Sequence, residues 1–184
     1  LLKDNKGKVC GVALKDTSAT GGKPQEITAG VVVNASGPWA DMLRRQISPP
    51  ARLRRLRGRH IIFPRERLPM TDALTLLHPK DNRAMFVIPW EGTTILGTTD
   101  IDHDPALDKS YSEPFAGGDE ISYMMEAASF LFPDLGLKES DVISSFSGLR
   151  PIIKGDADTP GKESRTHALW QEDGLITITG GKFT

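Results

Sequence analysis

In VVVNASGPWA, residues 31–40, an apolar run stops at Asn34, passes the small residues Ala35, Ser36 and Gly37, and meets Pro38 and Trp39. With the residues before it, ITAGVVVNA reads as a strand buried on both faces, because its apolar run is nearly continuous. Pro38 suits the first turn of a helix, where its missing N–H costs nothing. Trp39, Met42 and Leu43 would give that helix one apolar face, and SPPAR ends it. Small residues at the carboxyl end of a strand let a ligand touch the main chain, and the N–H groups of the next helix attract an anion. The same residues also suit a plain strand-to-helix turn that needs Gly37 for its backbone angles.

A second strand ends in the same way. ITITGGKFT, residues 176–184, runs into Gly180-Gly181 and then Lys182. A cation beside bare backbone suits a substrate phosphate or an electron-rich ring that becomes anionic on reduction; an ordinary glycine turn is the alternative. SGLRP, residues 147–151, puts Arg150 between a strand and Pro151, where a guanidinium can fork onto a phosphate or carboxylate or simply form a surface salt bridge.

The rest of the chain bounds these readings. The 184 residues are enough for one large domain or two small ones. With 23 Lys plus Arg against 24 Asp plus Glu, no global field favours nucleic acid or an anionic membrane. Apolar runs fall far short of the roughly 20 residues that span a bilayer. One cysteine, Cys10, excludes an internal disulfide framework and fits a reducing compartment. ARLRRLRGRH, residues 51–60, holds five arginines, but aromatics are not interleaved with them. Arg52, Arg54 and Arg57 are expected on the solvent face of a strand with Leu53 and Leu56 turned inward. His60 opens the apolar strand HIIF, either as a structural residue or as one pointing into a cleft. Asp100, Asp102, His103 and Asp104 crowd after GTTD without the spacing of a calcium loop, so no metal is expected.

Strand signals dominate. KVCGVALK and ITAGVVVNA flank a polar hairpin loop; LRGRHIIFP is a strand. FVIPW and TTILGTTD pair through Glu91-Gly92, and Pro89 marks an edge or bulge. Ile121, Met125, Ala128 and Phe132 recur at helical spacing after Asp119, a candidate cap, and Pro133 stops that helix. HALW and LITITG form a last hairpin. The pattern predicts an α+β fold dominated by sheet.

Taken in order and spacing, NASGPWAD, GRHIIFP, FVIPWEGTTILGTTD, DVISSFSGLRPI and ITITGGKFT resemble the FAD-dependent glycerol-3-phosphate dehydrogenases, over about residues 27–184. That resemblance implies an antiparallel substrate-binding sheet with packed helices plus part of a glycine-oxidase-like FAD-binding domain. Residues 1–44 and 168–184 would belong to the FAD-binding domain and 45–167 to the substrate-binding domain. It implies oxidation of sn-glycerol 3-phosphate, hydride transfer to FAD, and electrons passed to a quinone by a cytoplasmic protein peripheral at the inner face of the cell membrane. Ala35, Ser36, Gly37, Trp39, Gly180, Gly181, Lys182 and Thr184 would lie at the cofactor. Arg150 and Lys182 would hold the substrate, and His60 is the candidate base. The alternative is a related oxidase of glycine or sarcosine, whose carboxylate needs one Arg; the pair Arg150 and Lys182 favours a phosphate.

Two departures shape the expectation. The family's amino-terminal G-x-G-x-x-G strand and its carboxyl-terminal helical domain have no counterpart in these residues, so the chain reads as a piece of a longer polypeptide that by itself is expected to bind FAD weakly or not at all and to be inactive. At Arg59 the family usually carries Ser or Thr.

Overall fold

The computed structural model describes residues 1–18, 21–104, 118–155 and 165–181. In chain order the first strands are β1 (Leu2–Lys3), β2 (Val9–Leu14), β3 (Gln25–Thr28), β4 (Val32–Asn34), β5 (Leu53–Pro64) and β6 (Leu74–Leu77). The later strands are β7 (Ala84–Trp90), β8 (Thr93–Gly97), β9 (Ile101–Asp102), β10 (Ser144–Ile153), β11 (His167–Glu172) and β12 (Leu175–Gly180). The α-helices are α1 (Ala40–Arg44) and α2 (Gly118–Leu131). The chain divides into two compact units, one from Leu1–Arg55 with Arg150–Thr184 and one from Leu56–Leu149. The ends of β5 and β10 are therefore counted with the first unit.

In the first unit β1, β2 and β3 form one antiparallel sheet, with the expected polar loop between β2 and β3. A second sheet has the order β11-β12-β4. Its hairpin turns at Asp173 and Gly174, both at positive φ, and a side chain on Gly174 would strike the carbonyl of Val9. β4 lies parallel to β12, pairing Val32 with Leu175 and Asn34 with Thr177. The stretch 27–35 is not one doubly buried strand. It breaks into an exposed β3 and the short β4, which belong to different sheets, and Val33 is 59% exposed. A run of valines is apolar enough for burial, but only tertiary partners provide it.

The short helix also differs from its apolar pattern. Its buried residues are Ala40, Asp41 and Arg44, while Met42 is exposed. The reason is a charge cluster. Asp41 accepts the N–H groups of Arg52 and Leu53, both at 2.9 Å, and Arg44 lies 3.1 Å from Asp41 and 2.7 Å from Glu172. Arg44 and Arg52 also sit over the ring of Trp170. These polar ties, rather than an apolar face, seat α1.

The second unit holds an antiparallel sheet in the order β10-β5-β8-β7-β6, with β9 also on β5. Glu91 and Gly92 both have positive φ, as a two-residue turn matched to strand twist requires. Pro89 lies just past Val87, the last β7 residue paired with β6. Its missing N–H therefore sits where the strand has a free side, as expected. Alternation sends Ile61, Phe63, Leu96, Met85 and Val87 to one face, where they pack against Met124, Met125, Ala127 and Ala128 of α2. The helix lies on the back of the sheet as the sequence predicts, although Asp119 falls inside its first turn rather than capping it. Arg67 closes the far end by gripping Asp141 at 2.8 and 2.9 Å.

Leu96 has no exposed surface. Leu96→Ala should cost about 2–5 kcal/mol, read as a lower urea midpoint. Leu169→Ala, on a residue 62% exposed, should stay within about 0.5 kcal/mol.

Candidate functional site

Because β4 and β12 run parallel, their carboxyl ends lie side by side. Asn34, almost fully buried, organises the turn beyond them. Its side-chain amide donates to the carbonyl of Ala40 at 2.9 Å and to the Thr177 hydroxyl at 3.4 Å. Its side-chain oxygen accepts the Ser36 hydroxyl at 2.7 Å and the Ser36 N–H at 3.3 Å. The chain then makes a 3-10 turn over Gly37–Trp39 that contains Pro38 and leads into α1. The Thr179 hydroxyl donates to the Gly37 carbonyl at 3.3 Å, joining this turn to the end of β12. Gly37 has φ +56 and nothing within 4 Å of where a side chain would start. Gly181, at φ +86, has only the Cβ of His167 nearby, at 3.7 Å. Gly180 is different: a side chain there would strike the carbonyl of Thr166. Bare backbone thus faces open space at both ends.

The buried side of β12 carries Leu175, Thr177 and Thr179, while Ile178 is exposed. Sequence reasoning missed Asn34, Thr177 and Thr179 as site-building residues. Asn34 is the polar end of an apolar run, and that contrast is a readable signal. The threonines look like ordinary strand residues, because which side of ITITG faces inward depends on hydroxyl partners supplied from β4 and its turn.

In the second unit, His60 lies inside β5 rather than at its start. It pairs with Gly97 of β8, which in turn pairs with Phe86 of β7. A side chain at Gly97 would collide with the His60 ring and the Arg59 carbonyl, so that glycine makes room for the imidazole. The His60 ring stacks on Phe146 with centroids 4.6 Å apart and planes 14° from parallel. Phe86 and Phe146 are partly exposed on this face, which is the one away from α2.

Arg59 points the other way and is completely buried. It pairs with Glu120 of α2 at 2.9 Å, and Arg57 pairs with the same oxygen at 3.0 Å. Arg57 therefore is not a solvent-face residue, whereas Leu53 and Leu56 are turned inward as expected. Burial pulls the Arg59 guanidinium below its ordinary range, with Glu120 opposing that shift and Arg57 adding to it. Beside this pair lies a cavity of about 270 Å³ lined by Asp81, Arg83, Asp100, Asp119, Glu120 and Tyr123. His78, wholly buried, stacks on Tyr123 with centroids 3.7 Å apart. Among the described residues no cluster of three or more His, Cys, Asp or Glu is placed to hold a metal ion.

Ala35, Ser36, Gly37, Trp39, Gly180 and Gly181 are thus gathered in the first unit. Arg150 is also counted there and lies within β10, with Pro151 continuing the strand rather than ending it; His60 belongs to the second unit. Lys182 and Thr184 lie outside the described residues.

A profile of the FAD dependent oxidoreductase family, DAO, matches residues 2–182. The chain belongs to this family. Curated members similar to it include the aerobic glycerol-3-phosphate dehydrogenases of Staphylococcus haemolyticus, 35% identical over 100% of this chain and 32% of that protein, and of Bacillus subtilis, 36% identical over 97% and 32%. Among solved structures, glycerol-3-phosphate dehydrogenase from Bacillus halodurans complexed with FAD is 37% identical, with a TM-score of 0.82 over 98% of this chain and 34% of that one. Glycine oxidase from Bacillus cereus, 19% identical with a TM-score of 0.58 over 97% of this chain and 42% of that one, shares the fold. The chain spans about a third of the length of the curated relatives it matches. The expected fold class is met: this FAD dependent oxidoreductase chain is mostly sheet with few helices. The cofactor of the family is FAD. Among its described residues no helix is long and apolar enough to cross a membrane.

Asn34→Ala strips the hydrogen bonds from the turn and should lower stability by about 1–3 kcal/mol, measured by thermal unfolding against Met42→Ala as an exposed control. Tyr123 is pushed up to about 12, first by burial and then by its hydrogen bond to Asp81. The folded state thus favours the neutral phenol. Its contribution to stability is complete below the ordinary value of 10.0 and fades as pH rises through about 12. Ultraviolet titration should find one of the chain's two tyrosines ionising that late, and Asp81→Asn should bring it down.

Proposed function

We propose that the protein to which this chain contributes oxidises sn-glycerol 3-phosphate to dihydroxyacetone phosphate. The observation that carries this is the match of nearly the whole chain, in sequence and in shape, to proteins bearing that dehydrogenase name. FAD, when bound, supplies the acceptor for the hydride leaving the carbinol carbon.

The residues present fit such a cofactor. A flat, polar-edged group can rest against main chain only where side chains are missing, and Gly37 and Gly181 leave that space. Ala35, Ser36, Gly37 and Trp39 would lie beside one end of the cofactor, and Gly180, Gly181, Lys182 and Thr184 beside the other. Backbone N–H groups there and the Lys182 ammonium would favour negative charge. Arg150, with Lys182, would bind the dianionic phosphate by charge-assisted hydrogen bonds. His60 would take the proton from the substrate hydroxyl at a ring nitrogen, since imidazole is the side chain whose unperturbed titration lies near neutral pH. Phe146 and Gly97 set the plane of that ring. On this reading residues 1–44 and 168–184 serve the FAD-binding domain and residues 45–167 the substrate-binding domain. A quinone takes the electrons at the inner face of the cell membrane, where the protein sits peripherally.

The test uses the whole gene product with a soluble dye acceptor. Glycerol 3-phosphate should be oxidised and glycine or sarcosine should not; the reverse preference would overturn the assignment. His60→Asn should lower kcat by about 10²–10⁴ while the bound flavin absorbance stays unchanged.

A further inference from the structure

Arg59 is sealed from solvent in the sheet–helix core. A guanidinium is costly to bury in such a place, and an apolar residue there is often no worse for stability. Its connections touch both structures that border the His60 ring. The Arg59 Nε donates to the Ser147 hydroxyl at 3.2 Å, and Ser147 is the next residue after Phe146, the ring's stacking partner. The Arg59 N–H donates to the Thr99 hydroxyl at 3.1 Å, and the Thr99 N–H donates to the Arg59 carbonyl at 3.3 Å. Thr99 lies just beyond Gly97, the residue that makes room for the ring. Glu120 closes the circuit, accepting from the Thr99 hydroxyl at 3.2 Å and pairing with Arg59 at 2.9 Å.

We propose that Arg59 is a positioning residue for His60: from the helix-side face of β5, its links to Glu120, Thr99 and Ser147 hold Phe146 and the Gly97 segment in register around the imidazole on the opposite face. The proposal rests on the reading of His60 as the base. A ring displaced by about 1 Å can cost a factor of about 10² in rate, so fixing these neighbours has a kinetic value that stability alone does not measure. Glu120 keeps Arg57 as a partner when Arg59 is removed, which limits the damage that Arg59→Met does to folding.

The experiment uses the whole gene product and the variants Arg59→Met, Arg59→Lys, Ser147→Ala and His60→Asn. Ser147→Ala removes one hydroxyl and keeps every charge. Kinetics with glycerol 3-phosphate are combined with flavin absorbance and with NMR of ring-labelled histidine, His60 being assigned by its loss in His60→Asn. Arg59→Met and Ser147→Ala should each lower kcat by about tenfold to a hundredfold. KM should change by less than about threefold, bound flavin should be unchanged, and the His60 ring signal should move. Arg59→Lys, which keeps a cation for Glu120, should recover part of the loss. Folded Arg59→Met and Ser147→Ala enzymes with unaltered kcat and an unmoved His60 signal, beside an inactive His60→Asn, would overturn the proposal and leave the base assignment standing. A fully active His60→Asn would instead remove the base assignment. In that case the ring signal alone decides the positioning: a shift in Ser147→Ala supports it, and no shift overturns it.

Discussion

Two strands ending side by side, with polar groups tied across their ends, set the terms for the first unit. A parallel pair brings two carboxyl ends to one edge, and at that edge both chains must turn away without leaving buried polar groups unpaired. Asn34 answers most of that need, bonding forward to Ser36, onward to Ala40 and across to Thr177. Thr179 adds the link to Gly37. Once these bonds are made, the remaining backbone at Gly37 and Gly181 faces open space. The same arrangement explains why Thr177 and Thr179 are buried while Ile178 is exposed: hydroxyls are wanted where a turn needs donors and acceptors.

The second unit uses its strands differently. One face of the sheet and one side of α2 make an apolar core, and the period-two alternation of β5 then necessarily presents His60 on the other face. Into the edge of that core the chain places an ion pair of unusual form, two guanidinium groups on one carboxylate. Glu120 offsets part of the cost of burying Arg59, while the like charge of Arg57 adds to that cost. In the first unit the cluster of Asp41, Arg44 and Glu172 has a comparable place, joining α1 to β11 and to the start of β5. In both units buried charge fixes where a helix sits, which apolar contacts specify less sharply because they are non-directional.

Much of the fold is legible in the sequence. The turn at Glu91-Gly92, the final hairpin, the position of Pro89 and the apolar stripe of α2 come from backbone preferences and periodicity, which are local. The misreadings share one cause. Residues 27–35 look like one buried strand because valine is apolar, but two sheets divide them. Met42 and Leu43 look like the inner face of α1, but Asp41 and Arg44 occupy it because their partners are the Arg52–Leu53 backbone just beyond the helix and Glu172, which comes from far along the chain. Arg57 looks solvent-facing because Glu120, its counter-ion, lies on a helix that periodicity alone does not place beside it.

The order of its short motifs was enough, without coordinates, to assign this chain to a flavoprotein family, because spacing of glycine, proline and charged residues along a strand is a one-dimensional record of backbone needs. Which residues stand together at the ends of β4 and β12, and what brackets the His60 ring, was decided only in three dimensions. Hydrogen bonds and ion pairs between distant segments are short-ranged and directional, and their partners become neighbours only after the sheets have formed.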